Sequence, residues 1–166
     1  MIVPPGCWLS ERAAPRPSPI EGLGLFATAP ISRGEIVIGL GGRVIDDDAL
    51  ARLEQPYSSV ALDENAHLLI DPAHPVRYGN HGCDPNLWHL DAVTIAARRD
   101  VASGEELTID YGTHSLSPSW AMACSCGSPL CRGRISGEDW RIERLQATYG
   151  RHWTPVLLRR IEALRR

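Results

Sequence analysis

The apolar runs of this 166-residue chain are short, and glycine or proline cuts each one before it can extend into a long helix. Between Gly22 and Val44, β-branched and apolar residues are interrupted by Pro30, Gly34, Gly39, Gly41 and Gly42. That is the pattern of short strands joined by tight turns, because glycine supplies turn conformations and proline removes a ladder donor. Val93-Thr94-Ile95-Ala96 and Leu107-Thr108-Ile109 bracket Ser103-Gly104-Glu105 and read as two strands joined across a loop. The expected fold class is mainly β with short helices, and a chain of this length encloses one core with at most a small appendage.

Helical signals are few. Residues 46–54 carry Asp46 as a cap, acids in the first turn, and Leu50 and Leu53 at i, i+3 spacing. Near the end, Trp140, Leu145 and Tyr149 fit one helix face. Thr154-Pro155 reads as the cap and first residue of a second helix burying Leu157, Ile161 and Leu164. Arg159, Arg160, Arg165 and Arg166 crowd its end, where they complement the helix dipole as readily as they would suit nucleic acid, so nucleic-acid binding is not indicated. Residues 1–19 hold five prolines and little periodicity and are expected to form an extended arm rather than a packed element.

No apolar run approaches the ~20 residues of a bilayer span, and the N-terminus lacks a basic segment followed by a long apolar one. The expectation is a soluble, cytoplasmic protein. Five cysteines is an odd number, and Cys124, Cys126 and Cys131 form Cys-x-Cys-x4-Cys, which suits metal ligation in a reducing compartment better than a disulfide framework. A structural zinc takes four ligands, so a fourth must come from elsewhere. Cys7, Cys83, His114 and other histidines compete for that place. All seventeen basic residues are arginine. Residues 1–131 carry a net charge of −8 and 132–166 one of +5. The acidic body suits a basic substrate segment.

Four motifs follow in order: Gly22-Leu23-Gly24-Leu25-Phe26-Ala27, Asn80-His81-Gly82-Cys83-Asp84-Pro85-Asn86, Glu106-Leu107-Thr108-Ile109-Asp110-Tyr111-Gly112, and the cysteine cluster. Glycines let a main chain approach a polar ligand closely, asparagine and histidine offer donors and acceptors together, and a tyrosine ending a strand can present a phenol to a reacting centre. Their order and spacing resemble the SET-domain methyltransferases over roughly residues 20–135. The resemblance implies small sheets around a knot-like C-terminal segment, with a SET domain over 20–115, a zinc-bound post-SET segment over 120–136 and a helical tail over 137–166.

The resemblance also implies roles. S-adenosylmethionine would lie against Gly22, Leu23, Gly24, Asn80 and His81. Tyr111 would line the methyl-transfer pore, with Tyr57 as a second active-site tyrosine. Cys83 would complete a zinc site with Cys124, Cys126 and Cys131. Ile109 stands where the family often carries phenylalanine or tyrosine, so di- or trimethylation of lysine by in-line transfer is expected. Two departures stand out: Gly82 replaces the usual serine, and the aromatic after the cysteines is missing. Ile135 would then cover the adenine, with Trp140 equally able to serve as core. The expected acceptor is the side-chain amine of lysine in a basic protein or peptide. The competing readings are a non-catalytic peptide-binding module and a methyltransferase for a free amino acid or small amine.

Overall fold

The computed structural model describes residues 2–166. Thirteen short strands carry the architecture: β1 (Trp8–Leu9), β2 (Ala13–Pro17), β3 (Leu23–Ala27), β4 (Ile36–Gly39), β5 (Gly42–Ile45), β6 (Ser59–Asp63), β7 (Ala66–Ile70), β8 (Asn80–His81), β9 (Leu87–His89), β10 (Thr94–Ala97), β11 (Glu106–Ile109), β12 (Ala121–Ala123) and β13 (Arg134–Ser136). Three helices accompany them: α1 (Asp47–Ala51), α2 (Glu143–Tyr149) and α3 (Pro155–Leu164). The strands form sheets in the orders β1-β4-β10-β9, β2-β3-β11-β8, β5-β7-β6 and β12-β13.

Apolar residues of the first three sheets meet in one core, with Leu25, Val37, Leu68 and Leu107 fully buried. A second cluster joins Trp140, Tyr149, Trp153, Leu157 and Ile161 to Ala61 of β6 and to Leu116. The C-terminal helices therefore pack on the body of the fold. Asp46 caps α1 as its sequence suggests, accepting the Ala49 N–H at 2.8 Å.

Several expectations change. The N-terminal residues are extended, but they are not a free arm: β1 pairs with β4, and β2 pairs with β3 over five residues. Pro15 and Pro17 are tolerated in β2 because it is an edge strand, where an N–H on the open side has no ladder partner to lose. β10 and β11 are the two strands expected on either side of Ser103-Gly104-Glu105, and they lie in different sheets. Trp140 sits in a separate 3-10 turn (Asp139–Arg141), one element before the helix of Leu145 and Tyr149, and all three are buried together.

In α3, Pro155 holds the first position, but the Thr154 hydroxyl makes no cap bond and is buried without a partner. Leu164 is exposed because it lies in the last, solvent-facing turn. Arg159 and Arg160 do not crowd the helix end; they pair with Asp63 and Glu64 at the β6–β7 turn.

Candidate active site and cysteine cluster

The site is assembled by one parallel pairing. β8 runs beside β11 with Asn80 opposite Thr108 and His81 opposite Ile109, while β11's other edge pairs antiparallel with β3. Three motifs distant in sequence therefore share one sheet. Asn80 Nδ2 lies 3.1 Å from the carbonyl oxygens of Glu21 and Leu23 and 2.9 Å from Glu106 Oε1, so its amide holds the glycine turn against β11. Gly22 has φ +49° and open space where a Cβ would stand. A Cβ at Gly24 would lie 2.1 Å from Glu106 Oε1, so only glycine lets the carboxylate reach Ser18 and Asn80.

Tyr111 follows β11 in a 3-10 turn whose cap is Asp110, accepting the Gly112 N–H at 2.9 Å. Its N–H donates to His81 Nδ1 at 3.1 Å, and its hydroxyl donates to the Gly79 carbonyl at 2.7 Å. Burial, with the Glu21 and Glu106 carboxylates adding to it, pushes the phenol up to about 12, so it stays protonated at neutral pH. A cavity of about 150 Å³ adjoins it, lined among others by Tyr57, Ile109, Tyr111, His114 and Trp120. A wider depression shares Tyr57, Leu116 and Trp120 with this cavity. Tyr57, Ile109 and Tyr111 thus border one space although 52 and 54 residues separate Tyr57 from the other two.

The expectation that the His81 side chain faces a cofactor is corrected. The ring is buried: Nδ1 accepts from Tyr111, and Nε2 lies 3.2 Å from Cys83 Sγ. Burial drives its basicity down to about 4, against the opposing charge of Asp110. A neutral ring accepting at Nδ1 carries its proton on Nε2, which points it at the Cys83 sulfur. Ile135 on β13 is also fully buried, packed in the hairpin opposite Met122, so it offers no open surface to cover an adenine. Trp140, the other candidate, belongs to the second apolar cluster.

The sulfur atoms of Cys83, Cys124, Cys126 and Cys131 all lie within 4.8 Å of one another. Four thiols converging without disulfide bonds are a donor set suited to one soft tetrahedral cation. Burial pushes the Cys83 thiol up to about 11, opposed by the N–H and charge of Arg132. A thiolate in this crowded place calls for a neighbouring cation. His114 lies in the cavity instead, and Cys7 donates its S–H to the Gly41 carbonyl away from the cluster.

Arg132, directly after the last cysteine, was not singled out from sequence. Its guanidinium grips both oxygens of Asp110 at 2.7 Å and reaches Asp139 at 3.1 Å. Asp110 has no accessible surface and also accepts the Tyr149 hydroxyl at 2.8 Å. The signal available was an aspartate at the end of an apolar strand, a position that requires a buried counter-charge. The departure at Gly82 has a reason too: a Cβ there would lie 2.7 Å from Thr108 Oγ1.

The SET domain family profile matches residues 22–112, more than half of the chain and spanning the glycine turn, Asn80-His81 and Tyr111. The chain belongs to the SET-domain family. This SET-domain protein is 34% identical over 133 residues to the histone-lysine N-methyltransferase trithorax of Drosophila virilis, covering 69% of this chain and 3% of that protein. It is 32% identical over 154 residues to the histone-lysine N-methyltransferase ATX2 of Arabidopsis thaliana, covering 82% and 14%. It is 30% identical over 145 residues to the histone-lysine N-methyltransferase ash1 of Drosophila melanogaster, covering 76% and 6%. The SET-domain chain thus spans a small part of each relative's length. Among solved structures, the methyltransferase domain of human SETMAR shares the fold with a TM-score of 0.59 at 20% identity, over 70% of this chain and 55% of that one.

Proposed function

We propose that this SET-domain chain is an S-adenosylmethionine-dependent methyltransferase acting on lysine side chains of a basic protein segment, histones being the first to test. The observation that carries the reading is the β8–β11 pairing, which ties Asn80 and the glycine turn to the strand that ends on Tyr111, and Tyr111 lines the cavity. The names of the relatives support a protein-lysine acceptor over a free amino acid.

The residues fit the cofactor. Asn80 Oδ1 has no protein hydrogen bond among the described residues and keeps access to solvent, beside the exposed residues Gly22 and Leu23. An accepting amide oxygen open to solvent suits an ammonium-bearing ligand. When bound, S-adenosylmethionine supplies an electrophilic methyl group. Everything else falls to the chain. A lysine amine with its ordinary value near 10.4 is about one part in 2,500 neutral at pH 7, a deficit of roughly 4.6 kcal/mol. The mainly apolar cavity walls favour the neutral amine by desolvation, and alignment beside Tyr111 contributes roughly 7 kcal/mol or more. Tyr111, its proton committed to Gly79, turns oxygen lone pairs toward the amine. Ile109 lines the cavity with no hydroxyl to occupy space near the nitrogen, which favours products beyond monomethyl.

Cys83, Cys124, Cys126 and Cys131 would hold one zinc ion, whose role is structural: it ties the trailing segment to the loop after Asn80-His81. We further propose that residues 20–115 form the catalytic unit and 120–136 the post-SET segment. The test is transfer of labelled methyl from S-adenosylmethionine to core histones and to lysate protein. Label in protein, lost in Tyr111→Phe, is the expected result. Cofactor binding with no transfer would establish a non-catalytic module, and label only in small molecules would move the acceptor to a free amine. Metal analysis should return one zinc per chain, and full retention in Cys83→Ser would remove Cys83 from the ligand set.

A further inference from the structure

His114 and His89 are both buried, and His89 Nε2 lies 3.0 Å from His114 Nδ1. The other nitrogen of His89, Nδ1, lies 3.0 Å from the Asp91 carbonyl oxygen. A carbonyl can only accept, so His89 carries its proton on Nδ1 and its Nε2 is a lone pair. His114 must then donate from Nδ1, which leaves its own Nε2 unprotonated. Burial depresses the basicity of both rings, the His89 value to about 4, so both are neutral at physiological pH.

His114 Nε2 makes no hydrogen bond among the described residues, yet it is not sealed from solvent like the indole nitrogens of Trp140 and Trp153. His114 lines the cavity together with Tyr57, Ile109 and Tyr111, its ring 5.5 Å from that of Tyr111. A free acceptor therefore stands in the space assigned above to the substrate amine.

We propose that His114 Nε2 accepts an N–H hydrogen bond from the substrate amine and thereby limits the product to dimethyl-lysine. The proposal rests on the methyltransferase reading. Two acceptors face the amine: Tyr111 Oη, whose proton is committed to Gly79, and His114 Nε2. A neutral primary amine has two N–H bonds for them while its lone pair faces the methyl donor. Monomethyl-lysine has one left. Dimethyl-lysine has none, so a third transfer would bury both acceptors without partners, a penalty that slows it roughly 10- to 100-fold. Ile109 leaves room for the first two methyl groups, and His114 decides against the third. His89 is a positioning residue: it fixes the tautomer that makes Nε2 an acceptor.

The experiment follows the methylation state of lysine by mass spectrometry on core histones taken to exhaustion, for the parent and His114→Phe. The parent should stop at dimethyl, whereas His114→Phe, keeping a ring without an acceptor, should yield trimethyl and make the first transfer about tenfold slower. Trimethyl product from the parent, arrest at monomethyl, or an unchanged product spectrum in His114→Phe would each overturn the proposal. Nitrogen-15 NMR of the unmodified protein gives a second reading independent of the variant's folding. His114 should appear as the Nδ1–H tautomer, and an Nε2–H tautomer would overturn the proposal. If the parent transfers no methyl group to any protein, the methyltransferase reading fails, while the tautomer measurement still decides the His89–His114 geometry.

Discussion

Acidification should unfold this protein through its buried histidines. His81 and His89 are held to about 4 by burial, against a reference near 6.5, and His114 is lowered in the same direction. Because the folded-state values are depressed, the unfolded chain takes up protons first as the pH falls. The stability they contribute is present above about pH 6.5 and drains away as the pH drops toward 4. A histidine titrating at 6.5 unfolded and at about 4 folded makes folding less favourable by about 2 kcal/mol between pH 7 and pH 5. His81 and His89 together give about 4 kcal/mol, and His114 adds to it. Against a total stability of about 5–15 kcal/mol for a domain, that is a large share. Urea denaturation at the two pH values measures the loss. Removal of one titrating ring in His89→Gln should shrink it by about 2 kcal/mol, which separates the histidine contribution from any release of metal by protonated thiols. A parent that loses less than about 1 kcal/mol, or a His89→Gln variant that loses as much as the parent, would refute the reasoning.

Three further outcomes are expected. Arg132→Ala should cost about 3–5 kcal/mol in thermal or chemical denaturation, because Asp110 would stay fully buried without its bidentate partner, and a cost under about 1 kcal/mol would mean water replaces the guanidinium. Gly82→Ser should destabilise by about 1–3 kcal/mol by driving a Cβ into Thr108, with most of it recovered in Gly82→Ser/Thr108→Ala; additive losses in the double variant would count against the clash. Ile109→Tyr should shift products of methyl transfer toward monomethyl by mass spectrometry, and an unchanged product ratio would remove Ile109 from the control of methyl number.

Local features of this fold were legible from the chain alone. Short β-branched runs cut by glycine and proline became short strands, Asp46 capped α1, and Pro155 opened α3. Each of these depends on residues a few positions apart, where backbone sterics and a single hydrogen bond decide the outcome. The cysteine spacing likewise marked a three-thiol ligand group. The same local reading misjudged residues 1–19, because proline content reports what a segment cannot donate and says nothing about a neighbouring strand that accepts it as an edge.

The site itself belongs to the tertiary structure. The β8–β11 pairing spans about thirty residues, and it alone sets His81 between the Tyr111 amide and the Cys83 sulfur. Cys83 reaches the other three thiols, Arg132 reaches Asp110, and His114 meets His89 only after the sheets have packed. Such contacts are set by long-range burial: an aspartate, a histidine or a thiol stripped of water must find a partner, and which partner stands there is a matter of chain path rather than neighbouring residue type. The sequence by itself determined the kinds of group available for chemistry; the packing decided that His81 bridges the Tyr111 amide and the Cys83 sulfur while His114 lines the cavity.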